Sequence, residues 1–337
     1  LGVATNMLSA VVPTIAKAYQ GTTLAINATV VGVPTPTVRW QKQIGSVFTD
    51  LADGGAVSGS HTSSLTINPA EYSDTALFRA IASNTSGSAT SGVVQVTILS
   101  PSLDVTVPFT DLVVDFGNTS TTPSTTDAAI NENFTSFVTR GSGLNNNAGF
   151  PPFGGPVGVV ITPSVGSTVI TAVRLYPGSE GSAQDPADLK LEGSNNGGVS
   201  YVTLIPTMAL SIPSDRNLVS ASVDPLTAAV QEVRFANGQG FTSYRLTFNH
   251  TKDDANASAL SIGELELLGT VGAGAPSVSI GVGAGGSLNI TSTAPGTLES
   301  NTNLVGGTWI SEGPISGTVN IIPNPAQRTK FYRVVIP

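Results

Sequence analysis

The chain consists mainly of short runs in which apolar and polar residues alternate, separated by turn-forming residues. Examples are "TLAINATVVG" from Thr23, "SLTINPA" from Ser64 and "SYRLTF" from Ser243. A period of two, rich in β-branched residues and bounded by Gly, Pro, Asn and Asp, is typical of strands joined by turns. The segment "DPLTAAVQEVRFA" from Asp224 is compatible with a short helix, and its Val-rich end equally with a strand. The pattern predicts an all-β chain of tandem β-sandwiches.

Two seams interrupt this pattern. "TILSPSLDV" around Pro101 ends the first alternating region, and "GTVGAGAPSV" at residues 269–278 is a Gly/Ala-rich stretch typical of a flexible linker. The chain has 337 residues, enough for two or three domains of about 100 to 200 residues each. We therefore predict five segments: an N-terminal extension (1–12), a first module (13–100), a second module (101–271), a linker (272–277) and a small C-terminal β-module (278–337).

Composition narrows the classes of function. The absence of cysteine excludes thiol catalysis, thiolate metal sites and disulfides. Charged residues make up 11% of the chain, against about 25% in an average soluble domain, so the surface must be rich in Ser, Thr, Asn and Gly. The net charge of −8 and the lack of basic clusters exclude nucleic acid as a partner. Such a surface suits a protein that packs against other chains or is anchored.

Two features bear on location. The sequence contains no apolar run of about 18 residues or more, the length needed to span a bilayer. The first residue is Leu1 rather than Met, from which we expect an extracellular or cell-surface protein, secreted and with its signal peptide removed.

The first module resembles an immunoglobulin I-set domain, on the segments "LAINATVVGVPTPTVRW" and "DTALFRAIASN". In that resemblance Trp40 is the core tryptophan, and Phe78 takes the place of the tyrosine-corner Tyr. Ala28 and Ala80 occupy the two cysteine positions, so a pair of small side chains replaces the disulfide. The resemblance implies a spacer or adhesion module.

The preceding segment "LGVATNMLSAVV", residues 1–12, is apolar and uncharged. It either extends the first strand or frays, or it adds as a donor strand to a sheet edge in a neighbouring subunit.

The second module resembles the discoidin family, also called factor V/VIII type C. The segments "RLY", "DPADLKLEGSNNGG", "TSYRLTF" and "SIGELELLG" carry the resemblance and follow the order of that family. It implies a galactose-binding-like jelly roll. Members often hold calcium with an Asp in a turn and a Glu on the last strand, and here the turn "AINENFTSF" has Asn131 in place of the Asp. The candidate calcium ligands are Asn131, Asn133 and Glu264, a weaker set because hard cations prefer carboxylates.

Glycan binding in the same family uses tip loops. The long loop "RGSGLNNNAGFPPFGG" offers candidate sugar contacts. These are Arg140, Asn145, Asn146, Phe150 and Phe153. The alternative interpretation is a Gly/Asn/Pro-rich connection whose phenylalanines lie under the sandwich.

The last segment, "GTLESNTNLVGGTW" ending in "FYRV", resembles a small β-module that closes many bacterial exported chains, and it implies an end cap or attachment unit. No catalytic constellation is present: His61 and His250 lie in different modules, and no G-x-S-x-G turn presents a nucleophile. Glu264 and Glu266 share one face of a strand, but no facing acid completes a glycosidase pair.

These observations favour a non-enzymatic bacterial surface protein. We expect it to self-associate into a homopolymer, as the subunit of a filament, sheath or layer formed by β-module packing and strand addition. The alternative, from another class, is a carbohydrate-binding adhesion protein or the accessory part of a secreted glycan-degrading system.

Overall fold

A computed structural model describes residues 8–116, 118–119, 126–140, 156–218, 223–272, 278–283, 286–302, 308–324 and 329–335. Within these ranges the regular structure is strands and three short 3-10 helices, which confirms the predicted all-β class. The segment from Asp224 begins as a turn and then forms a strand at Gln231–Arg234, so its strand interpretation is the right one.

The first module contains eleven strands and the 3-10 helix Tyr72–Asp74. The strands are β1 (Ser9–Val11), β2 (Ile15–Tyr19), β3 (Leu24–Asn27), β4 (Thr29–Val31), β5 (Thr37–Ile44), β6 (Val47–Asp50), β7 (Val57–Ser58), β8 (Ser64–Ile67), β9 (Ala76–Asn84), β10 (Gly87–Thr90) and β11 (Val94–Leu99). One sheet has the order β2-β11-β9-β5-β6, with β10 added to β9, and β2 lies parallel to β11. The order β3-β8-β7 forms the facing sheet, while β1 pairs with β4.

The second module contains twelve strands and two 3-10 helices, Thr126–Ile130 and Ser182–Gln184. The strands are β12 (Leu103–Asp104), β13 (Leu112–Asp115), β14 (Asn118–Thr119), β15 (Phe137–Arg140), β16 (Val157–Thr162), β17 (Thr168–Tyr176), β18 (Asp188–Ser194), β19 (Val202–Ala209), β20 (Gln231–Arg234), β21 (Ser243–Phe248), β22 (Leu260–Ile262) and β23 (Glu264–Val271). They form sheets of order β12-β23-β17-β20, β13-β16-β21-β18-β19 and β14-β15-β22.

Alternation along these strands builds the core of the second module. Tyr244, Leu246 and Phe248 of β21 are buried, whereas Arg245 and Thr247 between them are partly exposed. At Gly193 of β18 an added methyl group would lie 2.4 Å from the Phe241 ring, so only glycine fits there. Buried residues of both larger sheets belong to one apolar cluster, so the two sheets pack face to face, as expected for a β-sandwich.

The C-terminal module has four strands, β24 (Val278–Val282), β25 (Leu288–Asn301), β26 (Ile310–Ile321) and β27 (Phe331–Val335). β25 is long and irregular between Ser292 and Gly296, and it pairs with all three other strands. In the described part of this module the fully buried apolar residues are Ile290, Leu298 and Ile315. A core this small leaves aliphatic side chains of the outer strands in solvent.

Candidate functional site

The four residues that mark the first module lie together in its core. Trp40, Phe78, Ala28 and Ala80 all belong to one buried apolar cluster, and Trp40 stands directly opposite Ala80 on neighbouring strands. The indole Nε1 of Trp40 donates a hydrogen bond to the carbonyl of Thr62 at 2.9 Å. The large tryptophan therefore packs in the same core as the two small alanines, with its one polar atom satisfied.

The N-terminal extension is partly integrated into this module. Ser9–Val11 pairs antiparallel with β4 of the same chain, and residues 1–7 lie outside the described residues. These three residues thus belong to the module's own structure, and the donor-strand alternative stays a prediction for residues 1–7.

The predicted calcium ligands lie where the β12-β23-β17-β20 sheet meets the loop after Ile130. Glu264 begins β23, and its carboxylate Oε2 accepts the backbone N–H of Glu132 at 2.8 Å. Asn131 Oδ1 accepts the N–H of Asn133 at 3.1 Å, and Asn133 Oδ1 accepts the N–H of Thr135 at 2.9 Å. Both asparagines therefore hold the loop in shape through their own side chains.

The same loop holds two non-glycine residues in the left-handed region. Glu132 has φ 58° and Phe134 has φ 55°. This backbone path turns the Glu132 N–H toward Glu264 and buries the Phe134 ring against Tyr176, with ring centroids 5.6 Å apart. Such conformations persist only where their surroundings hold them, and they often mark functional sites.

Glu264 is fully buried, and its second carboxylate oxygen, Oε1, has no hydrogen-bond partner among the residues that the structure describes. Burial, reinforced by the nearby Glu132 carboxylate, raises the pKa of Glu264 to about 9. Burial likewise raises the pKa of Asp104, on the neighbouring strand β12, to about 8. The side chains of Glu132 and Asp104 share a hydrogen bond. At neutral pH without a cation, Glu264 and Asp104 therefore carry protons.

These residues fit a calcium ion in part. The orphaned Oε1 of Glu264 is the kind of buried oxygen that a hard cation would accept as a ligand. The two asparagine oxygens already accept loop N–H groups, and the described residues contain no group of three or more His, Cys, Asp and Glu side chains able to hold a metal ion. A bound calcium ion would supply positive charge that keeps the Glu264 carboxylate ionised. The calcium site stays a prediction.

The predicted glycan contacts fall mostly on residues that the structure does not describe. Asn145, Asn146, Phe150 and Phe153 lie outside the described ranges, and Arg140 is described only as the last residue of β15. Sugar contact by this loop therefore also stays a prediction.

His250 and the second carboxylate of β23, Glu266, have structural partners. His250 Nδ1 lies 2.7 Å from Asp254 Oδ2, an exposed ion pair four residues apart. Its hydrogen bond with Asp254 raises the pKa of His250. Glu266 Oε1 accepts the Tyr176 hydroxyl at 2.9 Å, and its Oε2 accepts Arg174 Nη1 at the same distance. Each of these groups is held by a partner rather than aimed at an open cleft.

Sequence reasoning missed two members of the acidic cluster, Asp104 and Glu132. Glu132 lies between the two predicted asparagine ligands in "NEN", and this alternation of oxygen-bearing side chains was a usable signal. The sequence holds no such signal for Asp104, because only the pairing of β12 with β23 brings this residue beside the closing strand.

Comparison with known proteins supports the first module. Residues 10–98 match the immunoglobulin I-set domain family. The chain is 21% identical to the N-terminal Ig1-2 module of the Drosophila receptor protein tyrosine phosphatase DLAR, over 29% of this chain and 50% of that one, with a TM-score of 0.25. For tandem Ig repeats of Dlar the identity is 20%, over 26% and 46%, with a TM-score of 0.24. The chain thus spans about half the length of these two structures.

The titin M3 domain is 23% identical over 28% of this chain and 92% of its own, with a TM-score of 0.21. No curated protein is significantly similar in sequence. No catalytic family is indicated by the match to the first module.

Among the described residues, no helix has the length and apolar character required to cross a membrane.

Proposed function

We propose that this protein is a non-enzymatic extracellular structural protein whose copies associate through their terminal β-modules into a homopolymeric surface assembly. The I-set match of residues 10–98 supports the coarser part, a structural or adhesion-type protein. The low content of charged residues, 11%, supports association, because weakly charged surfaces repel their copies little.

The observation that carries the proposal is an exposed aliphatic face at the N-terminal end. In the β1–β4 ribbon, Ser9 stands opposite Val31 and Val11 opposite Thr29, which places all four side chains on one face. Val11 is 61% exposed and Val31 is 52% exposed. In our proposal this aliphatic face of the terminal ribbon is covered by a β-structure of another copy.

The C-terminal module offers a complementary surface. Ile280 stands opposite the buried Ile290, on the apolar face of β24, yet Ile280 is 57% exposed and Val282 is 82% exposed. A contact between the β1–β4 ribbon of one copy and the β24 face of the next would join two different surfaces. Such heterologous contacts produce open filaments unless the rotation between copies closes a ring.

The discoidin-like character of the second module belongs to the same proposal. Two features support it: the face-to-face sandwich of its two larger sheets, and the closing strand β23, which begins with the buried Glu264. A jelly roll between two adhesive ends would act as the rigid body of the subunit.

Sedimentation velocity and electron microscopy of the purified chain at neutral pH test this proposal. We expect the wild type to form polymers, and the Val11→Thr/Val31→Thr variant to sediment as a monomer because the aliphatic face is lost. Ile44→Thr/Val47→Thr is the matched control: these two exposed aliphatic residues also stand opposite each other on paired strands, away from the chain end.

The control is expected to polymerise like the wild type. A wild type that stays monomeric at every concentration, or a control that dissociates as fully as the test variant, would overturn the proposal.

A further inference from the structure

The first and second modules touch along the outward face of the β12-β23-β17-β20 sheet. On this face Glu232, Arg174 and Glu266 stand directly opposite one another on the neighbouring strands β20, β17 and β23. Their side chains are almost completely buried, with exposures of 2%, 5% and 6%. Three charged groups that are buried on the outer face of a sandwich indicate that another part of the protein covers this face.

Arg174 joins the two modules through a single side chain. Its Nε lies 3.1 Å from Glu232 Oε2, and its Nη1 lies 2.9 Å from Glu266 Oε2. Its Nη2 donates to the carbonyl of Ser100, at the end of the first module, at 2.7 Å. The guanidinium also lies 5.8 Å from the ring centroid of Tyr19 in β2. One group therefore binds two strands of the second module and two parts of the first.

Further contacts come from separate elements of the first module. Both carboxylate oxygens of Glu232 accept the N–H of Ser100 at 2.9 Å. Arg234 donates to the carbonyl of Ile98 at 2.9 Å and stacks on Tyr72, with its guanidinium carbon 3.7 Å from the ring centroid. Lys17 Nζ donates to the carbonyl of Pro225 at 3.1 Å and also to that of Ala228.

This arrangement differs from the ordinary joint between domains. Neighbouring domains usually move relative to each other unless their interface is large and hydrophobic. The joint between these modules is instead held by buried hydrogen bonds and stacked cations. Here the connection between β11 and β12 is residues 100–102, including Pro101, and its first residue is bound at both its N–H and its carbonyl. Separating the modules would break the hydrogen bonds of Ser100 with Glu232 and Arg174, together with the contacts that Arg234 and Lys17 make across the joint.

We infer that the first and second modules form one rigid body, and that Arg174 is the positioning residue that fixes the angle between them. The first two β-sandwiches then form a single stiff unit, rather than two domains joined by a flexible linker. This inference does not depend on polymerisation, because every contact lies within one chain.

The absence of cysteine makes a direct test simple. Thr85→Cys in the first module and Thr207→Cys in the second, both exposed, accept spin labels, and double electron–electron resonance on the full chain then gives the distance distribution between them. We expect one narrow distribution for otherwise wild-type protein. The Arg174→Met variant should broaden it by about twofold or more, as expected for freely moving domains.

Arg245→Met is the matched control. Arg245 also pairs with a buried glutamate, Glu192, at 2.6 Å, but it lies on the other sheet, away from the first module. We expect its distance distribution to match that of the wild type.

If Arg174→Met fails to fold, the double variant Lys17→Met/Arg234→Met replaces it. This variant removes contacts at the edge of the joint and should also broaden the distance distribution between the two labels. A broad distribution in the wild type, or equal broadening in the Arg245→Met control, would overturn the inference.

Discussion

Raising the pH should destabilise this protein through Glu264, and replacing Glu264 by glutamine should relieve the effect. In the folded chain the pKa of Glu264 is about 9, against an ordinary value of 4.5. The unfolded chain therefore releases this proton near pH 4.5, whereas the folded chain holds it until the pH approaches 9. The stability is fully present below the unfolded pKa and is lost as the pH rises through this window.

The magnitude follows from the size of the shift. Each unit of pH between the two pKa values reduces the free energy of unfolding by about 1.4 kcal/mol, so Glu264 accounts for a loss of about 3 kcal/mol between pH 4.5 and 7. That is a large part of the roughly 5 to 15 kcal/mol that stabilises a typical domain. Asp104, whose pKa burial raises to about 8, adds to the same slope.

Urea denaturation at pH 5, 6, 7, 8 and 9, in the presence of a chelator, measures the effect. Glu264→Gln keeps the shape and an oxygen for the Glu132 N–H but cannot ionise, so its stability should fall much less with pH and exceed that of the wild type at pH 9. Asp215→Asn, at an exposed position, is the control and should follow the wild type. A Glu264→Gln profile parallel to that of the wild type would refute the reasoning.

Three further outcomes are expected. If calcium binds the Glu264 carboxylate, adding it at pH 8 should raise the denaturation midpoint of the wild type but not of Glu264→Gln; equal midpoints with and without calcium in the wild type would contradict the site. Ala28→Cys/Ala80→Cys should form an intramolecular disulfide on oxidation, detectable by mass spectrometry, and stabilise the first module by about 2 to 4 kcal/mol over its reduced form. Gly193→Ala should lower the melting temperature because its methyl group meets Phe241, whereas Gly181→Ala, with open space around it, should not.

The core of the first module could be predicted from the sequence because its signals are local. The alternating pattern identified the strands. Trp40 lies within such a run, and a side chain of its size is expected in the centre of a sandwich. Ala28 and Ala80 followed from the family resemblance, and the structure places both in the same buried cluster. Where periodicity was ambiguous, as after Asp224, the sequence allowed two interpretations, and only the pairing of β20 with β17 decides for the strand.

The acidic cluster and the joint between modules could not be predicted in the same way. Asp104, Glu132 and Glu264 are far apart in sequence, and no local pattern records that β12 pairs with β23 or that a left-handed turn aims the Glu132 N–H at Glu264. For Arg174 the alternating pattern alone predicts an ordinary solvent-facing residue, because it occupies a polar position on a strand. A residue on the outer face of one module is indistinguishable in sequence from an interface residue until the other module is in place.

The seam at Pro101 shows how this changes the mechanical interpretation of the chain. Its composition indicates a boundary between two modules, and boundaries commonly act as hinges. In the structure the residue before this proline is bound at both its N–H and its carbonyl, to Glu232 and Arg174. In the proposed polymer, this stiff pair of sandwiches would hold the β1–β4 ribbon at a fixed orientation relative to the second module. Under that proposal, a flexible joint at Pro101 would let each added copy take a different direction, and the bound Ser100 removes this source of variation.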